Sequence, residues 1–356
     1  MPHFSSLLIS WYLENGRALP WRETKDPYHI LLSEIILQQT QVCQGLAYYQ
    51  RFLHKYPTVN HLASASQDEV MQLWQGLGYY SRARNLHQAA KQIAQLGHFP
   101  RTYNEILKLK GVGTYTASAI ASFAFNLPHA AIDGNAYRVL SRCFAINTPI
   151  DSTTGKKEFE QLAKEIIDPK RPALFNQAMM DLGATCCTPK TPQCQQCPIN
   201  ALCLAHAQNE VALYPVKQAK IKLQTRYLTF IAIHNDTHIL LKRRSEGDIW
   251  QGLYQPLLIE QTQANTTASI NEILTHKDIQ PYFNSNTKPT LGTLFTNHKH
   301  RLTHRLLIID AYTLKVDQLY PTNEQYIPIP LQDIDQYGVP KIVQIIFEKL
   351  KQTQKL

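Results

Sequence analysis

No apolar run in this 356-residue chain is long enough to cross a membrane. Its first thirteen residues also lack the basic start and small-residue cleavage site of a secretory signal, so that amphipathic stretch is expected to form a first helix. Cysteine is scarce at seven residues, and without an export signal that number argues against a disulfide framework and for a reducing compartment. Charge is modest: 36 Lys and Arg against 27 Asp and Glu leave a net +9, shared by both halves. That excess suits a polyanionic partner without requiring one. The expected setting is the cytoplasm, among nucleic acid. There is no internal repeat.

What cysteine there is lies crowded. Cys187, Cys194, Cys197 and Cys203 fall within seventeen positions, with gaps of six, two and five residues. A compact set of four thiolates binds metal. Zinc sites usually pair two C-x2-C knuckles, whereas this run has a single knuckle and unequal flanks, so spacing leaves an iron–sulfur cluster and zinc both open. Cys186 stands beside Cys187, and Cys43 and Cys143 lie far off; all three are expected to be ordinary packed cysteines.

The length suggests two domains. Up to about residue 205 apolar residues recur at helical spacing, as in Ile30-Leu31-Leu32 and Ile35-Ile36-Leu37, with prolines and glycines between the helices. Residues 1–205 are therefore expected to form an all-α region, and the polar, Lys-rich residues 206–225 a linker. Residues 226–356 read as an α+β domain. Strands are expected at 227–233, 238–242 and 306–312, helices at 267–275 and 339–350, and a long loop at 282–290.

Several motifs carry chemistry. Leu109-Lys110-Gly111-Val112-Gly113 followed by Thr114-Tyr115-Thr116 reads as a glycine hairpin opening a helix. Its exposed amides and the helix N-terminus suit a DNA phosphate, though a plain turn between helices explains the glycines too. Glu34 sits among apolar neighbours that would desolvate it and favour the protonated acid; alone, it could equally be a solvated helix-face residue. Asp133, in Ile132-Asp133-Gly134-Asn135, is placed to cap the following helix, which does not exclude catalysis. Together the two carboxylates match what glycosidic cleavage needs: one acid for the leaving group, one carboxylate for the sugar cation. Gln38 to Gln41 and the turn Gln75-Gly76-Leu77-Gly78-Tyr79-Tyr80 offer amides and wedges for bases, or ordinary surface polarity.

In combination and order these stretches resemble the adenine DNA glycosylase (MutY) family of the endonuclease III superfamily, over nearly the whole chain. Leu19-Pro20-Trp21-Arg22, Ser33-Glu34, the hairpin, Asp133-Gly134-Asn135 and the four cysteines carry the likeness. The resemblance implies an all-α helix-hairpin-helix glycosylase with a [4Fe-4S] cluster on Cys187, Cys194, Cys197 and Cys203, followed by a Nudix-like α+β domain. It implies a bacterial, cytoplasmic monomer acting on double-stranded DNA that carries adenine opposite 8-oxoguanine or guanine. Glu34 would protonate the flipped adenine, and Asp133, with Asn135 and Tyr115, would stabilise the sugar cation. Leu19, Trp21, Arg22, Leu37, Val42 and Gln177 match the adenine pocket; Gln39, Thr40, Leu77 and Tyr79 match positions that intercalate or meet the opposite base. Lys110, Gly111, Val112 and Gly113 would hold phosphate.

Tyr115 occupies the position where lyase-active relatives carry lysine, and tyrosine forms no Schiff base, so the resemblance implies a hydrolytic, monofunctional enzyme. In the second half no arginine lies between Arg244 and Arg301, so a working Nudix box is absent. The lesion-recognition loop, Phe-Ser-His in the family, reads Leu302-Thr303-His304, with Thr303 and His304 as the candidate contacts. His298, His300 and His304 are not expected to bind metal. The competing readings are an endonuclease III-type enzyme for oxidised pyrimidines and a non-catalytic DNA-lesion binder.

Overall fold

The computed structural model describes residues 2–218, 223–247, 249–261, 266–283, 289–319, 321 and 324–353. Residues 219–222 of the expected linker and 284–288 of the expected loop lie outside that set. The chain divides into two compact units, one of Met1–Ser64 and Asn85–Lys220, the other of Ala65–Arg84 and Ile221–Leu356. The excursion of Ala65–Arg84 into the second unit has no counterpart in the boundary read from sequence.

The first unit is helical, and two of its helices explain the site. Pro27–Leu37 begins with Asp26 accepting from the Tyr28 N–H at 2.8 Å and with proline at its first position. Tyr28 and all of residues 30 to 36 are buried, so this helix has no polar face and runs through the interior. Thr114–Phe125 is similarly enclosed over residues 116 to 122. It starts directly after the hairpin, where Gly111 adopts φ +77° and a Cβ would stand 2.4 Å from the Asn85 Cβ. Only glycine fits there. Gly134–Cys143 follows, with Asp133 as its cap accepting from the Ala136 N–H at 2.8 Å.

The latter part of this unit packs rather than dangles. Tyr214 is 5 % exposed, the Ile150 N–H donates to Val216 O, and the Gln218 N–H donates to Asp151. The residues expected to act as a linker are thus, up to 218, part of the folded body.

Among the described residues, the second unit centres on a seven-stranded sheet. In chain order its strands are β1 (Gln224–His234), β2 (His238–Arg243), β3 (Tyr254–Gln255), β4 (Leu257–Gln261), β5 (Thr290–Arg301), β6 (Arg305–Lys315) and β7 (Tyr326–Pro330). β1 pairs parallel with β6 along its whole length and antiparallel with β4 and β2 on its other edge. Alternate residues of β1 serve opposite faces. Leu228, Phe230 and Ala232 meet Ile342, Val343, Ile346 and Phe347 of the helix Lys341–Thr353, whereas Ile231 and Ile233 meet Ile273, Ile279 and Tyr282. A sheet covered on both sides explains why β1 reads as a nearly unbroken apolar run. The expected helix at 267–275 is shorter, Ile270–Leu274, held by a Ser269–Glu272 capping box.

Within this unit the excursion packs against the domain. Tyr80 Oη donates to Val339 O at 3.2 Å, Arg84 Nη1 donates to Gln251 O at 2.7 Å, and Arg243 pairs with Asp68 at 2.7 Å. Its turn uses positive φ at Gly76, Gly78 and Tyr79.

Candidate active site

A cleft of about 780 Å³ opens in the first unit, within the range of pockets that hold small ligands. Leu19, Trp21, Arg22, Glu34, Leu37, Gln39, Thr40, Val42, Gly111, Gly113, Tyr115, Asp133, Asn135 and Gln177 all line it. These come from five separate stretches of chain. Their convergence follows from the two buried helices, which pack together and carry Glu34 and Tyr115 into the same wall.

Glu34 is 7 % exposed, so the solvated helix-face alternative does not hold. Burial pushes its carboxyl up to about 7, against a hydrogen bond from Tyr115 that favours the ion; the nearby Asp133 charge adds to the rise. Near neutrality it therefore exchanges a proton readily. Asp133 is also raised by burial, but the Ala136 N–H at 2.8 Å and the Asn135 amide at 2.7 Å oppose that rise. The two carboxyls thus differ in kind, one held mainly by desolvation and the other by donors. Burial and its neighbouring carboxylates keep the Tyr115 phenol protonated.

Three further residues hold this wall together, none of them predicted as a site residue. Asp181, with no exposure, accepts from Arg22 Nη1 and Nη2 at 2.7 Å each, and from the Arg17 N–H and Nε at 2.9 Å. The arginines more than offset the cost of burial and hold its carboxyl below the usual range. Tyr12 donates to Gln177 Oε1 at 2.8 Å. Only the charge of Asp181, set in the apolar run before Leu182, offered a sign in the sequence.

Four predicted residues fall in the second unit. Leu77 is 7 % exposed and would have to leave its packing to enter a base stack. Tyr79 is exposed, and its hydroxyl hydrogen-bonds Thr303. Thr303 and His304 stand exposed in the three-residue connection between β5 and β6, while Leu302 turns against the sheet core. In the hairpin the Lys110 side chain is exposed, whereas Val112 is 7 % exposed and its N–H donates to Leu109 O at 3.1 Å, so Val112 serves the turn and is not itself placed to hold a ligand.

The four clustered cysteines line one cavity, walled by Val139, Ile199 and Val211. All seven cysteines are free. Arg142, 3 % exposed, donates to Cys187 Sγ at 3.3 Å and to Thr188 O at 2.8 Å. A second arginine, Arg138, ties Asn135 Oδ1 and Cys187 O, each at 2.7 Å, so one helix connects this cavity to the cleft. Among the described residues no three donors are arranged to close on a single ion. An all-sulfur set around an apolar cavity beside a buried cation fits a wider, multi-iron group better than one zinc. Cys143 and Cys186 are packed as expected, both on this cavity; Cys43, expected to be packed, is exposed at the start of its helix.

Comparison with known proteins gives three family matches. Residues 32–169 match the HhH-GPD superfamily of base excision DNA repair proteins, residues 187–203 the iron–sulfur binding domain of endonuclease III, and residues 228–349 the NUDIX domain. The chain is 34 % identical to the adenine DNA glycosylase of Buchnera aphidicola subsp. Baizongia pistaciae, over 98 % of this chain and 97 % of that one. It is 46 % identical to the human adenine DNA glycosylase over 58 % of this chain and 40 % of that protein. Among solved structures, a thermostable thymine-DNA glycosylase superposes with a TM-score of 0.54 at 30 % identity, covering 58 % of this chain and 95 % of that one.

Proposed function

The chain belongs to the adenine DNA glycosylase family, and on that premise we propose that it hydrolyses the N-glycosidic bond of adenine opposite 8-oxoguanine or guanine, leaving an abasic site. The observation that carries this reading is the buried Glu34, raised to about 7, hydrogen-bonded to Tyr115 and sharing one cleft with Asp133. A base must leave the duplex to reach such a cleft. There Glu34 donates its proton to the purine, which lets it depart neutral. Asp133, aligned by Asn135 and the helix amide, faces the oxocarbenium carbon and stabilises its charge. Tyr115 keeps Glu34 oriented, and because it is no amine, water and not the protein completes the reaction. Trp21, Leu19, Leu37 and Val42 supply apolar walls for the purine, and Gln177 supplies an amide.

In this reading Cys187, Cys194, Cys197 and Cys203 hold a [4Fe-4S] cluster that, when bound, cross-links the loop between the helices Pro172–Asp181 and Leu204–Ala207. Arg142 balances its charge, and Arg138 carries its position to Asn135. Removing iron with a chelator is expected to lower the Tm and to loosen the 187–203 loop, read as faster amide exchange there; unchanged exchange would count against the assignment.

The hairpin takes a DNA phosphate on the Gly111 and Gly113 amides, since the Lys110 N–H already donates to Gln92 Oε1 at 2.7 Å and the Val112 N–H to Leu109 O at 3.1 Å. Lys110→Ala is then expected to reduce the slope of log K against log salt by about 1, equally on matched and mismatched duplexes. An unchanged slope would remove Lys110 from the interface.

In the second unit opposite-base reading belongs to Tyr79, Thr303 and His304; in the first, Gln39 and Thr40 line the cleft that takes the adenine. Single-turnover release of free adenine tests the proposal: release should be fastest opposite 8-oxoguanine, slower opposite guanine and least opposite thymine. Equal rates opposite all three would contradict lesion recognition. The protein is taken to act as a monomer in the bacterial cytoplasm.

A further inference from the structure

The side-chain amide of Gln177 lines the cleft, but its orientation is decided outside it. An amide's two ends have the same shape, so partners alone choose which faces a ligand. The Tyr12 hydroxyl lies 2.8 Å from Gln177 Oε1, across 165 residues of chain. A hydroxyl can donate or accept, so its other neighbour matters. The Arg22 guanidinium lies over the Tyr12 ring, 5.5 Å from its centroid, and a cation so close favours the oxygen end of the hydroxyl dipole over its proton end. The hydroxyl therefore turns its proton away from Arg22 and donates it to Gln177 Oε1. Arg22 is itself immobilised by two 2.7 Å bonds to the fully buried Asp181. The charge of the arginine thus orients the phenol, and the phenol orients the carbonyl, which leaves the amide N–H groups for the cleft.

We propose that Tyr12 is a specificity-determining positioning residue, fixing Gln177 so that the cleft offers N–H donors to the edge of a flipped base. The inference rests on the reading of the cleft as an adenine site. Donors complement a ring nitrogen with a free lone pair, such as adenine N1, and clash with a ring N–H, such as N1–H of hypoxanthine. Tyr12 touches no base; it acts through Gln177, from a position 9 % exposed.

The test compares single-turnover excision of adenine and of hypoxanthine from otherwise identical duplexes by the full chain. Tyr12→Phe keeps the ring and removes the hydroxyl, and should narrow the adenine preference by about fivefold. Gln177→Ala should narrow it similarly, and Tyr12→Phe added to Gln177→Ala should change it no further. A preference left intact by Tyr12→Phe, or a loss equal in both backgrounds, would overturn the proposal. Gln177→Glu reads the same point without touching Tyr12: a carboxylate has no N–H to offer, so discrimination should fall, and its persistence would also overturn the proposal. A wild-type chain that released no adenine would instead defeat the underlying function, and this inference with it.

Discussion

Glu34→Gln is expected to slow adenine release by about 10³-fold while duplex affinity changes little, because glutamine keeps the shape but has no proton to give. The pH dependence carries the same argument further. With the carboxyl raised to about 7 by burial, the acid form persists to neutrality, so the wild-type rate should hold below pH 7 and fall above it. The fall should vanish in Glu34→Gln. The same shift has a consequence for stability. A carboxyl whose pKa is higher folded than unfolded binds more protons in the folded state between those values, so its contribution is present at low pH and is lost as pH rises toward 7. Glu34→Gln should therefore raise the Tm at pH 8 and have less effect at pH 5. A Tm at pH 8 that fell on substitution would contradict the desolvated state of Glu34.

Asp133→Asn separates capping from catalysis. Asparagine caps a helix about as well as aspartate, so the Gly134–Cys143 helix should keep its Ala136 N–H partner and the Tm should move little. The charge that faces the sugar cation is lost, and adenine release should fall by about 10³-fold. If rate and Tm dropped together, the residue would be chiefly a cap. The two substitutions affect one step through neighbouring groups, so their combination should cost less than the product of the single losses.

Much of the site was legible because local chemistry announced it. Glu34 stood among apolar residues, and the interior helix that buries it gives the raised pKa that such neighbours suggested. Asp133 lay before a helix and is its cap, and Gly111 meets a turn that needs it, whereas Gly113 is extended with open space around it. Tyr12, Arg17 and Asp181 were not legible, since their meaning lies in contacts across more than 160 residues. The sheet was read where burial on both faces left apolar runs, in β1, β2 and β6. β5 was missed because its residues are at most half-buried, leaving little period in the sequence. β7 was hidden by Pro328 and Pro330, which its pairing with β2 accommodates: spaced by two, both face the same side of the strand. The packing of Ala65–Arg84 with the second unit is a tertiary fact with no periodic signature.

The central claim is hydrolytic excision of adenine, and strand breakage tests it most directly. End-labelled duplexes with adenine opposite 8-oxoguanine, adenine opposite guanine, or thymine glycol would be incubated with the pure chain and read with and without hot alkali. Breaks from the two adenine duplexes only after alkali are the predicted result. Breaks without alkali, chiefly at thymine glycol, would mean an endonuclease III-type lyase and would contradict the role given to Tyr115.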